Sequence, residues 1–186
     1  MQHNTPLFGI IVQSKLIQPT ECWARGKEEN MKKQILFIQG GGEGAHAVDE
    51  ELAKSLRDKL GSEYNVRYTK MPEEENAGYE AWKAQISKEL VEVDDQLIFV
   101  GHSVGTSKLL KYLAEENVKN SIAGIFLIAA PYWGMGGWHV DDDTVPFTHL
   151  SLHTQKFPQA TVREFDRRGH QFNNDLFEVA ADIKSL

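Results

Sequence analysis

Residues 96–117 constrain the fold of this chain more than any other stretch. An apolar run of strand length leads into the motif Gly-His-Ser-Val-Gly at residues 101–105, and apolar residues then recur at helical spacing. Strand, Gly-x-Ser-x-Gly and helix in this order are the context of a nucleophile elbow, which exposes the serine hydroxyl at the carboxyl end of a strand. The glycines permit the sharp turn and the close approach of the helix. We therefore predict that Ser103 is a nucleophile. The simpler alternative is a tight strand-to-helix turn built from small residues.

Length and charge narrow the class of protein. The chain has 186 residues, of which 41% are hydrophobic, and this is enough for one domain with a substantial core. Its 27 acidic and 20 basic residues give a net charge of −7. This balance argues against a general affinity for nucleic acid or for an anionic membrane surface. We expect a small-molecule substrate and no nucleic-acid or membrane partner, and the oligomeric state stays open.

The cellular setting follows from cysteine usage and from the apolar runs. Cys22 is the only cysteine, so the chain forms no internal disulfide and a reducing compartment is expected. No apolar run approaches the ~20 residues that span a bilayer. The short apolar patch at residues 7–12 lacks the basic lead of a signal peptide. A cytoplasmic location is therefore expected.

The chain divides into an irregular beginning and a regular remainder. Residues 1–30 show no clear periodicity, and Met31 leads directly into a strand, so residues 1–30 are predicted to be an extension that the fold does not need. Residues 31–186 alternate strands with helices, which predicts one α/β domain, a three-layer sandwich around a mostly parallel sheet. The predicted strands are 35–39, 66–70, 96–100, 122–129 and 161–165, and the predicted helices are 48–60, 79–91, 104–117, 148–156 and 175–186.

A serine nucleophile requires a base and a carboxylate that orients the base. Of the seven histidines, His170 has the most suitable position, because it follows the last strand and precedes the last helix. His149 and His153 are four residues apart but have no evident further ligands, so no metal is predicted. The acid is expected among three consecutive aspartates between the serine and the histidine, which is a known chain order for such triads. We favour Asp142, with Asp143 as the alternative.

The glycine-rich loop at residues 40–44 follows the first strand, where backbone N–H groups can approach a substrate without a side chain in the way. Gly41 and Val104 are therefore the predicted oxyanion donors. The same loop fits the dinucleotide-binding pattern G-x-G-x-x-A from residue 42 onward. That alternative expects an acidic residue at the end of the second strand, where Lys70 stands, and it does not explain Ser103 or His170. No cofactor is predicted.

Several motifs carry a family resemblance. They are Tyr-Glu-Ala-Trp at 79–82, Gly-His-Ser-Val-Gly at 101–105, Ala-Ala-Pro-Tyr-Trp at 129–133, Asp-Asp-Asp-Thr-Val-Pro-Phe at 141–147 and Gly-His at 169–170. Residues 32–186 resemble the small serine hydrolases of the α/β-hydrolase superfamily, especially the retinoblastoma-binding protein 9-like group. The resemblance implies a compact domain with little lid, a Ser-His-Asp triad and carboxylesterase-type activity on small esters. It also maps the acid onto Asp142. The Leu-x-Cys-x-Glu motif behind the group's name is absent, so retinoblastoma binding is not implied.

One spacing departs from that fold. Only eleven residues, 131–141, separate the fourth strand from the acid, whereas a parallel crossover takes a dozen or more. The acid-bearing strand is therefore expected to be missing or reduced to residues 138–140. Pairing of the His170 strand directly beside strand 122–129 would move the histidine by ~4.8 Å, more than a Ser–His hydrogen bond tolerates. The functional alternatives are a non-catalytic binding protein with the hydrolase fold, and a thioesterase or acyltransferase that uses the same serine.

Overall fold

The computed structural model describes residues 7–12, 32–93, 96–131, 155–156, 158, 160–165 and 168–186. The strands are β1 (Leu7–Val12), β2 (Lys33–Ile38), β3 (Tyr64–Tyr68), β4 (Leu97–His102), β5 (Ile122–Ile128) and β6 (Thr161–Phe165). The helices are α1 (Ala45–Leu60), α2 (Tyr79–Val91), α3 (Val104–Glu115) and α4 (Phe177–Lys184), and a 3-10 turn covers Phe172–Asn174. The predicted helix at residues 148–156 falls almost entirely outside the described residues.

Four parallel strands form the main part of the sheet, in the order β3-β2-β4-β5. Because side chains alternate between the two faces of a strand, β2 contributes Leu36 and Ile38 to one apolar cluster and Ile35 and Phe37 to the other. Helices α2 and α3 cover the first face, and α1 and α4 cover the second. The predicted three-layer α/β/α sandwich is therefore confirmed. No helix in the described ranges is long and apolar enough to cross a membrane.

The beginning of the chain contributes a strand to this sheet. Strand β1 lies between β5 and β6 and pairs antiparallel with both. Ile10, for example, lies opposite Leu127 on one side and Val162 on the other. The segment that the sequence predicted to be a dispensable extension thus supplies six residues that pair within the sheet. Its dispensability stays a prediction that only a deletion can test.

The position of β1 determines where β6 joins the sheet, and therefore where the turn that contains His170 lies. Strand β6 does not pair directly with β5, as closure of the short connection would require, but lies one strand further out. Because β1 is antiparallel to both neighbours, β6 runs in the same direction as β5. The carboxyl ends of β4, β5 and β6 therefore lie at the same edge of the sheet, and the turn that contains His170 follows this end of β6.

Candidate active site

Ser103 lies between the end of β4 and the beginning of α3 with φ 50° and ψ −127°. A positive φ is unusual for a residue with a side chain and costs on the order of 1–3 kcal/mol, so surrounding contacts must hold it. Its backbone N–H donates to the Ile128 carbonyl at 2.9 Å, and its carbonyl accepts from Thr106 N at 3.0 Å and from Thr106 Oγ1 at 2.6 Å. These bonds to β5 and to the first turn of α3 hold the strained strand-to-helix turn that a nucleophile elbow requires.

The two glycines of the motif are required by close packing. A Cβ on Gly105 would lie 2.1 Å from the Gln39 carbonyl oxygen and 2.9 Å from that of Ile38, which are backbone atoms at the end of β2. A Cβ on Gly101 would lie 3.1 Å from the Thr106 Cα. The absence of side chains therefore lets α3 begin directly against the strand ends beneath Ser103.

Replacement of Gly105 by alanine should destabilise the protein by about 3 kcal/mol, because a methyl group cannot fit against a fixed carbonyl without a shift of α3. Gly78→Ala is the matched control, since Gly78 has φ −59° and no atom within 4 Å of an added Cβ. Gly78 is the N-cap of α2, where alanine is a poorer cap than glycine, so we expect the control to lose no more than about 1 kcal/mol. Urea unfolding of both variants measures the difference, and equal midpoints would contradict the close contact.

The glycine-rich loop lies beside the elbow. A Cβ on Gly41 would meet the Val104 Cβ at 3.3 Å, so the two predicted oxyanion donors are neighbours. Gly40 N donates to Asp49 Oδ2 at 2.7 Å, and Gly42 N donates to the Glu74 carbonyl at 2.7 Å. Within the described part of the chain, the intervening Gly41 N–H has no hydrogen-bond partner. The Val104 N–H lies in the first turn of α3, where helix N–H groups lack intrahelical partners.

Glu74 holds the other side of this loop. Its buried carboxylate accepts from His46 N at 2.8 Å and from Gln39 Nε2 at 2.9 Å, and it pairs with Lys70 at 3.0 Å. The hydrogen bond from His46, with those from Lys70 and Gln39, lowers the pKa of Glu74 to about 2 against the opposing effect of burial. Glu74 is therefore ionised at neutral pH. Lys70, the residue that argued against dinucleotide binding, is its ion-pair partner.

His170 reaches the same edge of the sheet from the turn after β6. Its carbonyl accepts from His102 Nε2 at 3.0 Å, and the centroids of the two imidazole rings are 4.8 Å apart. Burial and the neighbouring His102 charge lower the pKa of His170 to about 4, against the opposing charge of Asp49. The ring is therefore neutral at pH 7, as a general base must be.

The acid is not part of this geometry. His170 Nδ1 is buried and has no hydrogen-bond partner among the described residues. In a triad, this nitrogen is the one that donates to the carboxylate when Nε2 faces the serine. Asp142 and the alternative Asp143 both lie outside the described residues. Ser103, Val104, Gly41 and the His170 turn thus lie at one edge of the sheet, and the predicted acid lies outside the described residues.

Three polar residues at this edge were not predicted, namely Asp49, His102 and Gln171. Asp49 Oδ2 accepts from His102 Nδ1 at 2.8 Å, and both side chains are 1% exposed. Burial raises the pKa of the Asp49 carboxyl, but hydrogen bonds from His102, Gly40 and Gln171 and the His102 charge lower it below its usual range. The helical pattern could have identified Asp49. Asp49 is the first residue of the buried face of α1, whose other members are Leu52, Ala53, Leu56 and Leu60. A carboxylate on an otherwise apolar helix face requires polar partners.

The fold is the hydrolase type of three-layer α/β sandwich, with a strained Gly-x-Ser-x-Gly turn between β4 and α3. A family model described as Serine hydrolase matches residues 49–173, from Asp49 to the turn just after His170. The match covers about two thirds of the chain, so the chain belongs to this serine hydrolase family. A search of curated proteins and a search of solved structures gave no significant match. The family establishes a hydrolase.

Proposed function

We propose that the protein cleaves small carboxylic esters through an acyl-enzyme formed on Ser103. The observation that carries this proposal is the strained backbone of Ser103 at the junction of β4 and α3. Strain of this kind persists only where neighbouring structure enforces it, and it is concentrated at functional sites. The elbow also puts the serine at a helix N-terminus, which favours the negative charge of an oxyanion.

In the proposed reaction, His170 removes the proton from Ser103 Oγ as the oxygen attacks the ester carbonyl carbon. The carbonyl oxygen becomes an oxyanion, which the N–H groups of Gly41 and Val104 stabilise. His170 then returns the proton to the leaving alcohol as the ester C–O bond breaks. Water, activated by the same histidine, releases the carboxylic acid and restores Ser103. No cofactor takes part in these steps.

Asp142 is proposed as the acid, with Asp143 as the alternative. Two observations on His170 support a carboxylate partner. Its Nδ1 is buried without a partner among the described residues, and burial and the His102 charge both disfavour its protonated form. Because catalysis protonates this ring transiently, a carboxylate at Nδ1 would compensate for those two effects.

Labelling with a fluorophosphonate probe tests the proposal, together with hydrolysis of a short-chain ester. The wild-type protein should be labelled at Ser103, as located by peptide mass spectrometry. One of the variants Asp142→Asn and Asp143→Asn should lose about 10⁴-fold in kcat while the other retains most of its activity. Folded wild-type protein without labelling would favour a non-catalytic binding protein. Labelling with turnover of thioesters but not of oxygen esters would move the assignment to a thioesterase.

A further inference from the structure

The buried pair of Asp49 and His102 links the three chain segments that meet at the candidate active site. The Asp49 carboxylate accepts from Gly40 N at 2.7 Å and from His102 Nδ1 at 2.8 Å, both at Oδ2. His102 Nε2 donates to the His170 carbonyl at 3.0 Å. The glycine loop after β2, the end of β4 and the turn after β6 are thus joined by hydrogen bonds to two side chains.

These hydrogen bonds involve proposed catalytic residues or their direct neighbours. Gly40 precedes Gly41, His102 precedes Ser103, and the carbonyl that accepts from His102 Nε2 belongs to His170 itself. Asp49 Oδ2, His102 Nδ1 and Ser103 Cβ all lie near Gly40, each 3.4 Å from the position that a Cβ would take there. A shift of the Asp49 or His102 side chain would move its hydrogen-bond partners in the oxyanion loop and the histidine turn relative to Ser103.

We propose that Asp49 and His102 are positioning residues that set the relative placement of the nucleophile, the base and the oxyanion donors. This inference rests on the proposed ester hydrolysis at Ser103. The pair takes no chemical part in the proposed mechanism, and it acts through its hydrogen bonds to Gly40 and to the His170 carbonyl. Misplacement of catalytic groups by about 1 Å is enough to reduce turnover by about 10²-fold.

Both ring nitrogens of His102 lie within hydrogen-bond distance of acceptors, the Asp49 carboxylate and the His170 carbonyl. The side chains of Asp49 and His102 are each 1% exposed. A buried pair of this kind depends on both partners, because removal of one leaves the other without compensation.

Asp49→Asn is the first test. Gly40 N and His102 Nδ1 both donate to Oδ2, and an asparagine offers there either a neutral oxygen, which is a weaker acceptor than a carboxylate, or an NH2 group, which cannot accept. We expect kcat for a short-chain ester to fall by about 10²-fold with KM changed by less than about threefold. Glu89→Gln is the matched control. Glu89 on α2 is also a buried acid, but its ion-pair partner is Arg67 on β3 and not a residue of the candidate active site. It should lose stability while kcat stays within about twofold of the wild type.

His102→Gln is the second test. It should change the pH dependence of kcat/KM, which a purely structural role of His102 would leave unchanged. The pKa of His170 is lowered by burial and by the His102 charge and raised by Asp49. Glutamine removes the positive charge and leaves the Asp49 charge, so the pKa of His170 should rise from about 4 toward its ordinary value. Because the base works only when neutral, the acid limb of kcat/KM should move to higher pH. An unmoved limb in a folded variant would contradict the proposed contact.

Imidazole NMR separates failure of this inference from failure of the proposed function. In ¹⁵N-labelled wild-type protein, His102 should give two exchange-protected N–H signals. Both signals should be absent from His102→Gln, and the Nδ1 signal should be shifted in Asp49→Asn. If the wild type is neither labelled nor active but shows these signals, the proposed function fails and the hydrogen-bonded pair stands. Absence of both signals, or Asp49→Asn activity within threefold of the wild type, overturns the positioning role.

Discussion

Replacement of Ser103 by alanine is expected to lower kcat for a short-chain ester by about 10⁶-fold, the size typical for removal of a triad nucleophile. It should also abolish covalent labelling by a fluorophosphonate. The reason is that alanine lacks the oxygen that attacks the carbonyl carbon, while binding and the oxyanion donors remain. Initial-rate kinetics and gel-based labelling measure the two effects on the same preparation.

Ser107→Ala is the control for this variant. Ser107 lies one turn further along α3, and its hydroxyl contacts the Pro131 carbonyl at 3.4 Å. It shares the helix but not the strained conformation, so its removal should leave labelling intact. The Ser103→Ala variant should also keep or slightly gain stability. Its loss of activity would then come from the missing nucleophile and not from unfolding. Persistent labelling of Ser103→Ala would assign the nucleophile to another residue.

The parts of the site that follow from local pattern could be predicted from the sequence. The elbow at Ser103 depends on residues adjacent in the chain, because the two glycines and the following helix determine the turn together. The proximity of Gly41 to Val104 follows as well, since parallel neighbouring strands end at the same edge of a sheet. The parallel sheet and its flanking helices follow from strands and helices in regular alternation.

The parts that depend on distant pairing could not be predicted. Residues 7–12 show an apolar run but no local feature that indicates partners more than a hundred residues away in the chain. The Asp49 and His102 pair is of the same kind, because the two residues are 53 positions apart and become partners only when α1 packs beside β4. In both cases the missing information is tertiary contact and not local propensity.

Deletion of residues 1–30 is expected to destabilise the protein by several kcal/mol, a large share of the ~5–15 kcal/mol that stabilises a typical domain. The deletion removes a strand paired on both sides, so β5 loses a neighbour and β6 loses its only pairing partner among the described strands. Removal of residues 1–5 is the control, since it leaves β1 intact. Ile10→Pro is a point variant with the same expected direction, because proline cannot donate within a strand that has neighbours on both sides. Thermal and urea unfolding compare the four proteins.

The deletion should also lower the activity of the protein that remains folded. Without β1, β6 can rejoin the sheet only beside β5, one strand spacing or ~4.8 Å closer. The turn after β6 would carry His170 along, and a Ser–His hydrogen bond of about 3 Å does not survive such a shift. The bond from His102 Nε2 to the His170 carbonyl would break with it. We therefore expect even the folded fraction of the deleted protein, held at low temperature, to lose ester hydrolysis by at least about 10²-fold. Full activity with unchanged stability would instead show that residues 1–30 are dispensable, and that β6 places His170 without β1.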